Sequence, residues 1–129
     1  MKHKLSIIII ISILFSIMEC KAQELKSVTP KEFEELIADT TVQVLDVRTP
    51  EEYAEGHISH AINIDVLNPN FKASAIATLN PQRTVAVYCR SGRRSKQAAN
   101  VLLNNGFTII ELDKGFLSWV DANLHTTKQ

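Results

Sequence analysis

The chain has 129 residues, of which 14 are basic and 14 acidic, so its formal net charge is zero. That balance excludes the broad basic surface on which nucleic-acid binders depend, and any anion-binding feature must be local. The length suits one small domain with one modest core.

Lys2, His3 and Lys4 precede an apolar run from Leu5 to Met18 interrupted only by serines, and Cys20-Lys21-Ala22 follows. A basic start, an apolar stretch and a small closing residue read as an export signal over residues 1–22, cleaved after Ala22. Its destination would be a bacterial periplasm or the exterior. One rival is lipidation of Cys20, against which Glu19 stands in place of the small residue usual before such a cysteine. The other is a retained anchor, because the run is only slightly short of a bilayer span. Removing these residues leaves 23–129 as a single domain in which Cys89 is the only cysteine. No disulfide can then form within the chain, although exported proteins often carry them.

Thr29-Pro30-Lys31-Glu32 supplies a cap, a proline at the first helical position and an acid at the third. Phe33, Leu36 and Ile37 add an apolar stripe, which predicts a helix over 30–38. Residues 42–45 (Val-Gln-Val-Leu) predict a short strand with Asp46 at its carboxyl end. Pro50-Glu51-Glu52-Tyr53 predicts one helical turn ended by Gly56, and residues 61–64 a second strand. A helix is expected over 69–79, burying Phe71, Ile76 and Leu79 and closed by Asn80-Pro81. The run Thr84-Val85-Ala86-Val87-Tyr88 suits a central parallel strand covered on both faces. Helical pattern returns over 95–104 with Ala98, Ala99, Leu102 and Leu103 inward, and Asn105-Gly106 is its cap. Residues 107–110 predict another strand. Residues 115–120 start a last helix that places Phe116, Leu117 and Trp119 against the sheet, and residues 126–129 are expected to fray. Strands alternating with helices through short loops predict an α/β sandwich with parallel strands.

In that layout Cys89 is the first residue beyond the carboxyl end of the central strand, the edge where open α/β sheets place ligand sites. Residues 90–94 lead into a helix start, whose unpaired amides and positive dipole end would face the same space. Gly92 permits a tight cradle, and such surroundings favour the thiolate. Arg90, Arg93 and Arg94 add forked cationic donors suited to an oxyanion. Singly, each feature has an ordinary explanation: strand-end cysteines are often just buried, and arginines often just solvate a helix start. Their coincidence points to a nucleophilic sulfur facing an anion pocket. Spacing then separates two chemistries. A cysteine phosphatase of this kind needs an arginine after five intervening residues, where this chain has Ser95; only four residues separate Cys89 from Arg94. The smaller ring favours attack on sulfur, leaving Cys89 as a persulfide. Arsenate reduction would need a thiol relay, which residues 23–129 do not supply.

The segment Cys89-Arg90-Ser91-Gly92-Arg93-Arg94-Ser95 resembles the active-site loop of the rhodanese-like sulfurtransferases. Upstream, Asp46-Val47-Arg48, Glu51-Glu52-Tyr53, Gly56-His57-Ile58, Ala61 and Asn63-Ile64 resemble the family's opening signature. Downstream, Leu112-Asp113-Lys114-Gly115 and Trp119 resemble its closing segment, except that Lys114 stands where a second glycine is common. The resemblance covers about residues 26–124. It implies a single rhodanese-like sandwich: a central, mostly parallel sheet of about five strands flanked by helices, with an opening strand near Leu25 to Val28 that periodicity alone does not reveal.

By the same resemblance Cys89 is the nucleophile that takes sulfane sulfur from thiosulfate or a similar small anionic donor and passes it to cyanide or a thiol. The amides of residues 90–94, with Ser91, Gly92 and Ser95 in the loop, would hold the persulfide. Arg90 and Arg94 would orient the donor, and Arg93 would steer from solvent. Asp46 would anchor a loop arginine and Arg48 would pair with Glu55. His57 reads as a packing and hydrogen-bonding residue beneath the loops rather than a general base, and Asn63 and Trp119 as structural. No cofactor is called for, and His3, His60 and His125 form no metal-ligand spacing with Cys89. A monomer is expected, with a thioredoxin-like protein as reductant. A carrier that holds a persulfide without turnover would use the same loop.

Overall fold

The computed structural model describes residues 25–129, so the expected export signal and Cys20 lie outside the described residues. In chain order the elements are β1 (Leu25–Val28), α1 (Pro30–Ile37), β2 (Gln43–Asp46), α2 (Pro50–Glu55), β3 (Ile62–Asn63), α3 (Phe71–Thr78), β4 (Val85–Tyr88), α4 (Arg93–Leu103), β5 (Ile109–Leu112) and α5 (Gly115–Asp121). The five strands form one sheet in the order β1-β5-β4-β2-β3, and each neighbouring pair is parallel. Parallel neighbours require crossovers, and the helices supply them.

All four residues of β4 are fully buried, because the strand sits mid-sheet with helices on both faces. Its side chains alternate. Val85, Val87 and Cys89 pack with Leu45, Ala98, Ala99, Leu102 and Phe107 on one face. Ala86 and Tyr88 pack with Phe33, Val44, Ile58 and Trp119 on the other. Each fully buried valine, leucine, isoleucine or phenylalanine among them contributes about 1.5–3 kcal/mol. Tyr88 brings a polar tip into this core, and its hydroxyl accepts the Ile58 amide hydrogen at 3.0 Å. Burial, reinforced by the Asp46 carboxylate, pushes the Tyr88 phenol far upward and keeps it neutral.

The local signals work as their chemistry suggests. Thr29 caps α1 by accepting from the Glu32 amide, and Thr49 and Glu52 form a reciprocal capping box on α2. Four expectations change. In α3 the buried stripe is Phe71, Ala75 and Leu79, spaced four apart, while Ile76 lies one position off that stripe and is exposed. In α5 Phe116 and Trp119 face inward but Leu117 points to solvent. Strand β5 starts at Ile109 rather than residue 107, because the Phe107 amide donates back to the Leu102 carbonyl and closes α4 at Gly106. Residues near the end are docked rather than frayed: the amide and carbonyl of Thr127 pair with those of His57.

Candidate active site

Cys89 follows the last residue of β4, and its side chain is buried at 1% relative exposure. The chain then turns through Arg90 and Ser91 to Gly92, whose φ of +106° is open to glycine and strained for other residues. That turn aims the Gly92 amide at the sulfur, with N to Sγ at 3.1 Å. The helix begins at Arg93, two residues earlier than the sequence pattern indicates, so Ser95 falls in the first turn with its hydroxyl 3.4 Å from Sγ. The loop is tied from behind by α5. The Phe116 amide donates to the Cys89 carbonyl at 2.8 Å and the Leu117 amide to the Arg90 carbonyl at 3.0 Å.

Arg90 and Arg93 are exposed, whereas Arg94 is held by both oxygens of Glu52 at 2.7 and 2.9 Å. The Arg94 hydrogen bonds hold the Glu52 carboxyl at about 2, well below its usual 4.5. A depressed carboxyl contributes stability above its unfolded value, and that contribution is lost as pH falls from about 4.5 through about 2. Because the pair is partly exposed, its net worth is about 1 kcal/mol. Urea unfolding of the wild type should weaken over that window. Glu52→Gln should remove that part of the pH dependence and cost about 1 kcal/mol at neutral pH.

Two supporting roles differ from expectation. Asp46 anchors no loop arginine; its carboxylate takes Arg48 through Nε at 3.0 Å and Nη2 at 2.6 Å. Arg48 does not pair with the exposed Glu55 but donates to the Gly56 carbonyl at 2.7 Å and lies over the Phe116 ring at 4.2 Å. The reason is local. Asp46 and Arg48 leave β2 two residues apart and meet as buried partners, a burial that charges tolerate only when paired. Glu52 instead projects from the first turn of α2 toward the loop. His57 is buried, its ring nitrogens lie 2.9 Å from the Tyr53 carbonyl and 2.8 Å from the Gln129 carbonyl, and the ring stacks on Tyr53. Asn63 donates to the carbonyls of Asp46 and Arg48.

The pairing of Glu52, which lies in the Glu51-Glu52-Tyr53 segment, and the roles of Lys96 and Glu111 escape a motif reading. Glu111 carries its own signal, a carboxylate between Ile110 and Leu112 inside an apolar strand. It is fully buried and accepts from Ser95 Oγ at 2.6 Å, Ser27 Oγ at 2.7 Å and Lys96 Nζ at 3.2 Å. Among the described residues no group of His, Cys, Asp and Glu could hold a metal ion. A cleft of about 640 Å³ lined in part by Ile37, Val44, Ile58 and Trp119 includes none of residues 89–95.

The model of the rhodanese-like domain matches residues 29–122 of this chain. The chain belongs to the rhodanese-like domain family. It is 36% identical over 90 residues to a sulfurtransferase of Allochromatium vinosum, covering 68% of this chain and 81% of that protein. It is 42% identical over 69 residues to the thiosulfate sulfurtransferase PspE of Escherichia coli, covering 52% of this chain and 64% of PspE. A rhodanese-related protein from Thermoplasma volcanium superposes with a TM-score of 0.67 at 28% identity, covering 81% of this chain and 99% of that one. The chain spans about half the length of two plant relatives that it also matches, 52% and 54%. The five-stranded parallel sheet with helices on both faces is this family's sandwich, as the motifs imply.

Proposed function

We propose that the protein is a thiosulfate-type sulfurtransferase working through a Cys89 persulfide. The observation that carries the reading is the sulfur at the base of a loop that aims the Gly92 amide at it and carries arginines around it. The Cys89 thiolate attacks the outer sulfur of thiosulfate. The Sγ–S bond forms, the donor's S–S bond breaks with its electron pair, and sulfite leaves. A cyanide or thiolate acceptor then attacks the terminal sulfur and returns Cys89 as thiolate. Arg90 and Arg93 supply exposed positive charge for the donor's sulfonate, and Arg94 is a further donor whose fork is shared with Glu52. Positive charge at a concave loop raises the local concentration of an anion.

The test is transfer from thiosulfate to cyanide and to a small thiol by purified protein, beside an aryl phosphate and arsenate. Sulfur transfer without turnover of the latter two supports the reading. Turnover of phosphate or arsenate without sulfur transfer would replace it. Loading with sulfur that passes to one protein acceptor but not to small acceptors would make the protein a carrier.

The proposal extends to location: a monomer exported to a bacterial periplasm, with a thioredoxin-like protein to keep Cys89 reduced. Its support is the basic and apolar pattern of residues 1–22. Mass spectrometry of the protein from its native compartment should find an amino terminus at Gln23. A Met1 terminus in the cytosolic fraction would refute export and leave the sulfur chemistry untouched.

A further inference from the structure

Next to Ser95 the structure holds a buried charged group, Glu111, that the sulfur-transfer reading does not use. Cys89 Sγ lies 3.4 Å from Ser95 Oγ, with the thiol donating and the hydroxyl accepting. The Ser95 hydroxyl has one hydrogen, and the shortest of its contacts is the 2.6 Å bond to Glu111 Oε2. That length is typical of a hydroxyl bonded to an ionised carboxylate, stronger than its 3.1 Å alternative to the Gly92 carbonyl. The result is a directed row, S–H to Oγ–H to carboxylate.

We propose that Glu111 is a positioning residue for Cys89: it turns the Ser95 hydroxyl hydrogen away from the sulfur and so disfavours negative charge on Sγ. Two effects act in the same direction. With its hydrogen committed to Glu111, Ser95 offers Sγ a lone pair, which suits S–H and not S⁻. The buried carboxylate beyond it also repels a second negative charge at Sγ. This inference rests on the sulfur-transfer reading only for its consequence. When sulfur is loaded, the negative charge moves from Sγ to the terminal sulfur, one bond removed from the atom that the Ser95 hydroxyl faces. A group that disfavours charge at Sγ therefore favours the loaded protein over the free thiolate.

The charged groups around the row are few. Lys96 of α4 lies 3.2 Å from Glu111 Oε2 and 3.8 Å from Asp113, and its side chain is 48% exposed. Ser27 of β1 donates to Glu111 Oε1. Strand β4 presents Val87 in register with Glu111, and α4 contributes apolar Ala98 and Ala99 to that face of the sheet. On the loop side Arg94 is paired with Glu52. Lys96 thus offsets Glu111 in part, from a solvent-facing position.

The experiment follows the rate at which iodoacetamide, a neutral reagent, alkylates Cys89 across pH in the full chain. It needs no sulfur donor, so its outcome is separate from that of the transfer assay. Glu111→Gln keeps the shape and removes the charge, and the rise of the rate with pH should move about one unit toward acid, making alkylation roughly tenfold faster below the plateau. A purely structural Glu111 would lower stability without moving that profile. An unmoved profile, or one displaced toward alkaline pH, overturns the proposal. Lys96→Met, at a half-exposed side chain, decides the matter if the first variant does not fold. Loss of the offsetting cation should move the rise toward alkaline pH, and an unchanged profile would overturn the proposal equally.

Discussion

Replacement of Cys89 by serine is expected to abolish sulfur transfer, by at least about a thousandfold, the scale seen when a covalent nucleophile is removed from its supporting site. The change is nearly isosteric and the site is closed, since Cys89 is 1% exposed. The Gly92 amide that donates to Sγ can donate to a serine oxygen in the same place. Stability should therefore change by less than about 1 kcal/mol, which separates chemistry from folding. A serine hydroxyl remains protonated at neutral pH and forms no persulfide. Intact-mass measurement after thiosulfate treatment should show one added sulfur on the wild type, removed by an acceptor, and none on the variant. Full transfer by Cys89→Ser would mean that another group carries the sulfur.

Gly115→Ala should be the most damaging change outside the nucleophile. Gly115 has φ +62°, and a Cβ built there would stand 2.5 Å from the Arg90 carbonyl oxygen and 2.6 Å from that of Cys89. Both atoms are backbone, so no side-chain rotation relieves the contact. Backing α5 away would stretch the bonds from Phe116 and Leu117 that hold those two carbonyls. Left-handed strain, overpacking and two weakened hydrogen bonds together should cost about 3 kcal/mol or more. In a domain this size that lowers the melting temperature by roughly 12–24 °C. Transfer should fall further than stability alone explains, because the peptide being displaced begins the Cys89 loop. Gly106→Ala is the control: φ is +88°, but no heavy atom lies within 4 Å of the new Cβ. It should cost only about 1–2 kcal/mol and leave transfer intact. Equal effects of the two alanines on transfer would refute the bracing role of α5.

Much of this molecule is local enough to be read along the chain. Caps, prolines and apolar periods are decided within a turn or two, so α1, α2 and the continuous apolar run of β4 are legible. The loop is too, because a strand end, a lone cysteine, a glycine and a helix start are consecutive. Residues 25–28 carry little signal because β1 is an edge strand with three exposed residues. It exists only because β5 offers a parallel partner. Ile76 and Leu117 depart from the apolar pattern for a related reason: a short helix admits more than one apolar stripe, and the layer it meets chooses between them.

The residues alone determined the sandwich class, the position of Cys89 at the carboxyl edge of the central strand and the spacing that separates its loop from a phosphatase loop. Each depends on neighbours in sequence. Which charges meet was decided only by the fold. Arg94 takes Glu52 across 42 residues of chain, and Glu111 reaches Ser95 from the adjoining strand. An ion pair is set by the distance and burial of two tips. Sequence spacing constrains neither once the partners sit on different elements, so the electrostatics around the sulfur belong to the tertiary structure.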